Sequence, residues 1–301
     1  MASVSEIAEE IASQPVVWAR AADLAVASAP DLPLLGQRVL VIGCGTSWFV
    51  AQAYAGLREA SGAGETDAST ASELPSRRSY DRVVAISRSG TTTEVTDALR
   101  ALRDRGVETV ALSAVPGSPV TELASASVVL DFADERSVVQ TRFATGALAL
   151  LRAHLGEDLS AVLADGATAV AGLPPFDPTA FDHFVFLGHG WSVGLAHEAA
   201  LKFREAAQAR AESYPAMEYR HGPVSLAGPG SLVWILGTPD PSVADDVAST
   251  GATVRVGQLD PMAELVYIQR MAVALAGARG LDPDHPRHLT RSVVLQQEGT
   301  R

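Results

Sequence analysis

The chain has 301 residues, 47% of them hydrophobic and 19% charged, with a formal net charge of −12. That length allows one large or two ordinary domains with a substantial core, and scattered arginines in an acidic chain leave no basic face for nucleic acid. No apolar run approaches the roughly 20 residues that span a bilayer, and a single cysteine, Cys44, excludes an internal disulfide and a cysteine-rich metal site.

The first residues carry acids where a secretory signal would be basic, so a cytoplasmic location is expected. Residues 1–30 read as a helical lead-in. Val39-Leu-Val-Ile-Gly43 then reads as a buried strand, followed by the glycine turn Cys44-Gly45-Thr46-Ser47 and an amphipathic helix through Ala60. Strand-like runs recur at Val83–Ser87, Thr109–Leu112 and Val128–Phe132, with a helix pattern over Glu94–Arg105. The proline-rich segment Ala171–Pro178 breaks the chain. Beyond it, at an offset of 145 residues, Phe184-Val-Phe-Leu-Gly188-His-Gly190-Trp-Ser192 repeats the strand, glycine turn and helix. The helix runs from Leu195 to Gln208, strands follow at Leu232–Leu236 and Thr253–Val256, and helices at Val243–Ser249 and Met262–Arg279. Strand alternating with helix predicts an α/β fold with a doubly wound parallel sheet built twice, residues 1–170 forming one domain and 171–301 the other. A proline-spaced tail and a strand-like Ser292–Leu295 close the pattern.

Two clusters carry chemistry. Ser87-Arg-Ser-Gly-Thr-Thr-Thr93 places five hydroxyls in seven residues between a buried strand and a helix start, where free amides favour an anion. It lacks both the lysine of a P-loop and the spacing of a dinucleotide site, so it reads as a phosphate cradle without a nucleotide; an over-determined helix cap is the plainer alternative. The corresponding turn of the second half, from Gly237, has no such cluster. The second cluster contains Lys202, the one lysine against twenty-two arginines. Unlike a guanidinium, its ammonium can lose a proton. Glu198, Lys202 and Glu205 share one helix face, which fits a general base beside a lysine near a helix N-terminus or an ordinary surface ion pair. A polar loop, Ala211–Pro223, holds His221. The other histidines lack carboxylates at ligand spacing, and neither metal nor cofactor is expected.

The Cys44–Ser47 loop, the Ser87–Thr92 turn, the run Glu212-Ser-Tyr-Pro…Glu218-Tyr-Arg-His-Gly-Pro223 and the tail Asp284-His-Pro-Arg-His-Leu-Thr-Arg-Ser-Val293, taken in order, resemble the sugar isomerase (SIS) fold. More narrowly the chain resembles the isomerase half of glucosamine-6-phosphate synthase, with its two flavodoxin-like SIS domains, and the stand-alone amino-sugar-phosphate isomerases and deaminases. The resemblance implies that Ser87, Arg88, Ser89 and Thr92 bind a sugar phosphate, that Cys44, Gly45, Thr46 and Ser47 line the sugar site, and that Glu135, Gln140 and Arg291 contact substrate. It implies that Glu205 moves a proton between C1 and C2, that Lys202 assists at the adjacent oxygen, and that His221 opens the ring from a neighbouring subunit of a homodimer.

Two departures set the expected direction. No glutaminase segment with its cysteine nucleophile precedes the first strand, and the position matching the synthase's Schiff-base lysine is Arg291, which cannot form an imine. Where the synthase has a small hydroxyl residue, this chain has Gln140. The expectation is an isomerase/deaminase that converts a 2-amino-2-deoxyhexose 6-phosphate to ketose 6-phosphate and ammonia. A fructosamine-6-phosphate deglycase and a plain aldose–ketose isomerase are the enzyme alternatives, and a non-catalytic sugar-phosphate sensor is the alternative of another class.

Overall fold

The computed structural model describes residues 5–295. The lead-in forms two helices, α1 (Glu6–Ala12) and α2 (Gln14–Ala27). The first half continues as β1 (Val39–Gly43), α3 (Thr46–Ala60), β2 (Thr66–Thr70), β3 (Arg82–Ile86), α4 (Thr93–Asp104), β4 (Thr109–Ser113), α5 (Pro119–Leu123), β5 (Ala126–Val129), α6 (Arg142–His154) and α7 (Ser160–Ala171). The second half comprises β6 (His183–Gly188), α8 (Ser192–Ala207), β7 (Arg210–Pro215), β8 (Ser231–Leu236), α9 (Pro241–Ala248), β9 (Thr253–Val256) and α10 (Pro261–Ala278).

Two wholly parallel sheets result, in the orders β2-β1-β3-β4-β5 and β7-β6-β8-β9. The first four strands of each half therefore share one topology, and β5 is an addition of the first. The repeated glycine has the same steric cause in both halves. A Cβ on Gly43 would meet the Ser47 carbonyl carbon at 2.6 Å, and one on Gly188 would meet the Ser192 oxygen at 2.4 Å. Only glycine lets the strand run so tightly into its helix.

Where the sequence reading and the fold part, edge position explains the difference. Arg210–Pro215, read as the start of a polar loop, is the edge strand β7, and Thr66–Thr70 was not read as a strand at all. Both lie at a sheet edge and mix polar with apolar residues, so they lack the buried run that marks β1 or β8. Asp131 and Phe132, placed in the last strand of the first half, belong to a 3-10 turn (Asp131–Ala133) after the shorter β5. Ser292–Leu295 joins no sheet, although it lies beside the start of α4.

One hydrophobic core runs through both halves, from Ile7 and Trp18 through Leu150 to Phe203 and Leu275. The lead-in ties it together. The Trp18 indole donates to Thr145 Oγ1 (2.8 Å), Thr145 donates to Gln14 Oε1 (2.7 Å), and Gln14 Nε2 donates to Gln269 Oε1 (2.7 Å), so α2, α6 and α10 share a buried relay. Among the described residues no helix is long and apolar enough to cross a membrane.

Candidate active site

The site begins at the C-terminal edge of the first sheet, where β3 passes into α4 through Ser87–Thr92. Thr92 stands at the N-cap of α4, yet its hydroxyl makes no capping hydrogen bond. Its hydroxyl is thus not consumed in capping the helix, as the plainer reading of this turn would require. Ser89 Oγ accepts from the Thr91 amide (3.2 Å) and lies 3.1 Å from the Thr91 hydroxyl oxygen. Ser87 is buried, and among the described residues its Oγ has no partner. The tail lies over this turn. Thr91 donates to Ser292 Oγ (2.9 Å), the Thr93 amide donates to the Val293 carbonyl (3.1 Å), and the Leu295 amide donates to Thr93 Oγ1 (2.9 Å).

The second element is α8, which runs antiparallel to α3. Trp191 packs on Gly56, Gly194 on Phe49 and Ala53, and Lys202 on Thr46, so residue numbers rise along one helix as they fall along the other. A Cβ on Gly194 would lie 2.4 Å from the Phe49 oxygen, which shows how closely the backbones approach. This crossing carries the last turns of α8 to the first turn of α3. Lys202 and Glu205 consequently reach the first sheet's open edge from the far end of their helix, whereas the sequence suggested a position near its N-terminus.

There Lys202, 1% exposed, sits among three oxygens. Its Nζ donates to Glu205 Oε2 (2.6 Å) and Thr46 Oγ1 (3.1 Å) and lies 3.2 Å from Glu198 Oε1. This is a buried cluster, not a surface pair. Burial alone would lower the lysine's pKa, but the charges of Glu198 and Glu205 outweigh it and the net shift is upward, so Lys202 stays a cation. The neutral amine that a lone lysine invites from sequence is not what these neighbours favour. Glu198 is fully enclosed, and neither of its oxygens has an aligned donor. Burial, opposed by Lys202 and aided by the charge of Glu205, pushes its carboxyl up to about 7. The Glu205 side chain keeps 20% of its exposure and opens to the cavity.

That cavity, of about 180 Å³, is lined by Cys44, Gly45, Thr46, Arg88, Thr92, Gln140, Glu205 and Arg291, together with Val138 and tail residues 289–293. It gathers both halves of the predicted machinery at one place. Burial and then the charge of Glu94 raise the Cys44 thiol, which favours its protonated form.

Other predicted residues lie elsewhere. Ser47, Ser87 and Ser89 are buried behind the lining, and Lys202 stands behind Thr46. Glu135 faces away from the cavity: its Oε1 accepts from the Thr141 amide (2.6 Å) and hydroxyl (2.8 Å) and the Arg142 amide (2.8 Å), at the start of α6. Its other oxygen meets Arg88 at 3.4 Å. Arg88 directs its terminal N–H groups to the carbonyls of Ser137 (3.0 Å), Val138 (2.9 Å) and Arg291 (3.1 Å), while its Nε has no partner among the described residues. Arg291 in turn binds the Glu135 carbonyl and the Asp134 carboxylate. Arg88, Glu135 and Arg291, read as phosphate and substrate contacts, form a reciprocal clasp between the 134–138 segment and the tail. His221 is exposed, lies after β7 and is not part of this cavity. Reading the sequence counted Thr91 among the turn's hydroxyls but passed over Ser292 and Val293 as its partners; the hydroxyl of Ser292 beside a proline-spaced tail was the only signal.

Comparison with known proteins bears on the fold and the family. The SIS domain family matches residues 36–153. The glutamine–fructose-6-phosphate aminotransferase (isomerizing) of Aeropyrum pernix is 30% identical across 71% of this chain and 43% of its own length. The chain spans about half the length of the curated relatives it matches. Glucosamine-6-phosphate deaminase from Thermotoga maritima superimposes with a TM-score of 0.79 at 26% identity, over 97% of this chain and 100% of that one. The tagatose-6-phosphate ketose/aldose isomerase of Escherichia coli shares the fold, with a TM-score of 0.78 at 19% identity over 97% and 96% of the two chains.

Proposed function

We propose, for a chain that carries a SIS domain and is homologous to phosphosugar isomerases, that it is an isomerase/deaminase acting on a 2-amino-2-deoxyhexose 6-phosphate of the glucosamine type. The observation that carries this reading is a single cavity lined by Thr92 of the hydroxyl turn and by Glu205 of the opposite half. One hexose monoester can bridge them, its phosphate at the turn and its first carbons at the carboxylate.

In this reading the open-chain aldehyde loses its C2 proton to Glu205, giving an enolamine, and the same carboxyl returns a proton to C1. The product is a ketose imine, which water hydrolyses to ketose phosphate and ammonia. Lys202, held as a cation, orients Glu205 through the 2.6 Å contact and offsets the negative charge that develops on the C1 oxygen. His221, exposed on its own chain, opens the ring in the site of a neighbouring copy. Domain roles follow: residues 1–170 bind the phosphate, and 171–301 supply the base.

Ammonia release from glucosamine 6-phosphate tests the proposal. Glu205→Gln is expected to lower kcat by at least about 100-fold, the low end of a general base's contribution, with little change in KM. Unaltered turnover removes Glu205 from the mechanism, and tight binding without turnover by the wild-type chain replaces the enzyme with a sensor. Mixing Glu205→Gln and His221→Asn chains is expected to recover activity that neither shows alone, since mixed dimers rebuild one intact site; no recovery places both residues in one subunit's site.

A further inference from the structure

The lead-in helix α1 turns a face of Ile7, Glu10 and Ile11 inward, and Glu10 on that face is 3% exposed. Its Oε1 accepts from the amides of Arg136 (2.6 Å) and Ser137 (3.3 Å), and its Oε2 lies 2.5 Å from the Ser137 hydroxyl oxygen. The same hydroxyl oxygen lies 2.8 Å from the carbonyl of Val139. Asp284 ties the tail into this arrangement. Its carboxylate accepts from the amides of Glu6 (3.0 Å) and Ile7 (2.8 Å) at the start of α1, and its carbonyl accepts from the amide of Val138 (3.1 Å).

Ser137 carries one hydroxyl proton and faces two buried acceptors, Glu10 Oε2 and the Val139 carbonyl. Among the described residues neither has another donor. With Glu10 charged, one of the two oxygens is left unpaired, which is unfavourable in a buried place. With a proton on Oε2 the row closes: Glu10 donates to Ser137, and Ser137 donates to Val139. Burial raises the Glu10 carboxyl above its usual 4.5, the Ser137 contact opposes this and the charge of Glu135 adds to it; the net shift is upward. The cations nearby are engaged elsewhere. Arg88 meets Glu135 (3.4 Å), Arg136 reaches Glu6 (3.3 Å) and Glu9 (3.5 Å) on the outer side of α1, and Arg142 binds Ser13 (3.2 Å) and the Asp134 carbonyl. On α10, Arg270 borders Ala8 and Ile11 and binds the carbonyls of Ala169 and Gly172.

We propose that Glu10 is a positioning residue of the substrate cavity, acting as a neutral acid whose proton runs through Ser137 and fixes the segment 137–140. Arg88 holds this segment from its carbonyl side at Ser137 and Val138, and Val138 and Gln140 line the cavity. The pose of 137–140 therefore sets part of the wall that a sugar phosphate meets. Loss of the proton leaves a buried charge near Glu135 and a Val139 carbonyl competing for one hydrogen, so the wall loosens as pH rises through the raised value of Glu10. The inference rests on the reading of this cavity as the sugar-phosphate site.

The test uses the full-length Glu205→Gln chain, with glucosamine 6-phosphate binding followed by calorimetry and amide exchange over residues 136–141 by mass spectrometry, from about pH 5.5 to about pH 8.5. Adding Glu10→Gln, whose amide donates to Ser137 as the neutral acid does, is expected to hold the affinity within about twofold at the acid end. As pH rises, the chain with Glu10 is expected to weaken relative to the one with Gln. Adding Glu10→Met, of similar size without donor or acceptor, is expected to weaken binding about tenfold and to speed exchange over 136–141. Ser137→Ala cuts the row at its middle and is expected to do the same, which keeps the test open should Glu10→Met not fold. A loss in Glu10→Gln as large as in Glu10→Met, or a ratio of the Glu10 and Gln affinities that stays flat with pH, overturns the neutral acid. Unchanged affinity in both Glu10→Met and Ser137→Ala overturns the positioning role. Failure of the chain to bind glucosamine 6-phosphate, with the exchange pattern preserved, overturns the amino-sugar reading of the cavity and keeps Glu10 as the acid that sets its wall.

Discussion

Lys202 shows how far a single side chain can be read from sequence. Its singularity and its two flanking acids were visible, and they pointed to the helix face on which the three side chains do meet. What they could not reveal was Thr46, 156 positions away, or the depth of burial that makes the cluster an all-or-none unit. Removing the cation leaves two carboxylates enclosed without a counter-charge. Lys202→Met is therefore expected to lower stability by ~3–5 kcal/mol in urea titrations, and adding Glu198→Gln should return part of the loss. Titration acts at this scale too. Burial, with Arg58 near His154 and Arg204 near His197, holds both imidazoles below their usual 6.5. A depressed folded pKa gives stability that is full above the unfolded value and is lost as pH falls through the folded one. Glu198, raised from 4.5 to about 7, has the opposite sign: its contribution is full at low pH and is lost as pH rises through about 7. The opposing terms are separable by substitution. The drop in urea midpoint from about pH 7.5 to about pH 5.5 should be smaller in His154→Gln than in the parent chain.

Among the elements, the strands that were easy to read are the ones enclosed on both faces, such as β1 and β8, every residue of which is buried. Period and composition suffice there. The clasp was illegible for a different reason. Arg88, Glu135 and Arg291 stand 47 and 156 positions apart, and nothing local distinguishes an arginine that binds phosphate from one that binds carbonyls. Glu135 likewise carries no sign that it serves the start of α6. The structural assignment changes what substitution should do. Arg291→Ala frees the tail rather than deleting a catalytic group, so faster amide exchange over residues 289–295 should accompany a KM for the sugar phosphate raised about tenfold, the scale of one charge-assisted contact, with kcat less affected.

Across the whole molecule, the duplicated sheets are scaffolds and the crossing of α3 over α8 makes the site. The sequence repeat foretold two α/β units. The antiparallel crossing, which sends Glu205 to the other unit's open edge, depends on small residues at Gly56, Ala53 and Gly194 whose partners lie well over 100 positions away. Gly194 tests this directly. A side chain there must push the helices apart, and overpacking of this kind costs about 1–3 kcal/mol. Gly194→Val should lower both the urea midpoint and turnover, because the same displacement draws Lys202 and Glu205 off Thr46. A loss of stability with kcat intact would mean that the crossing does not set the geometry of the base.

The enclosure of Lys202 has a use beyond chemistry at the site. The folded chain presents no accessible ε-amine, so an acylating reagent meets one only when α8 separates from α3. The rate at which such a reagent marks this residue is therefore a clock for that opening, readable by mass spectrometry on a single peptide without any engineered probe.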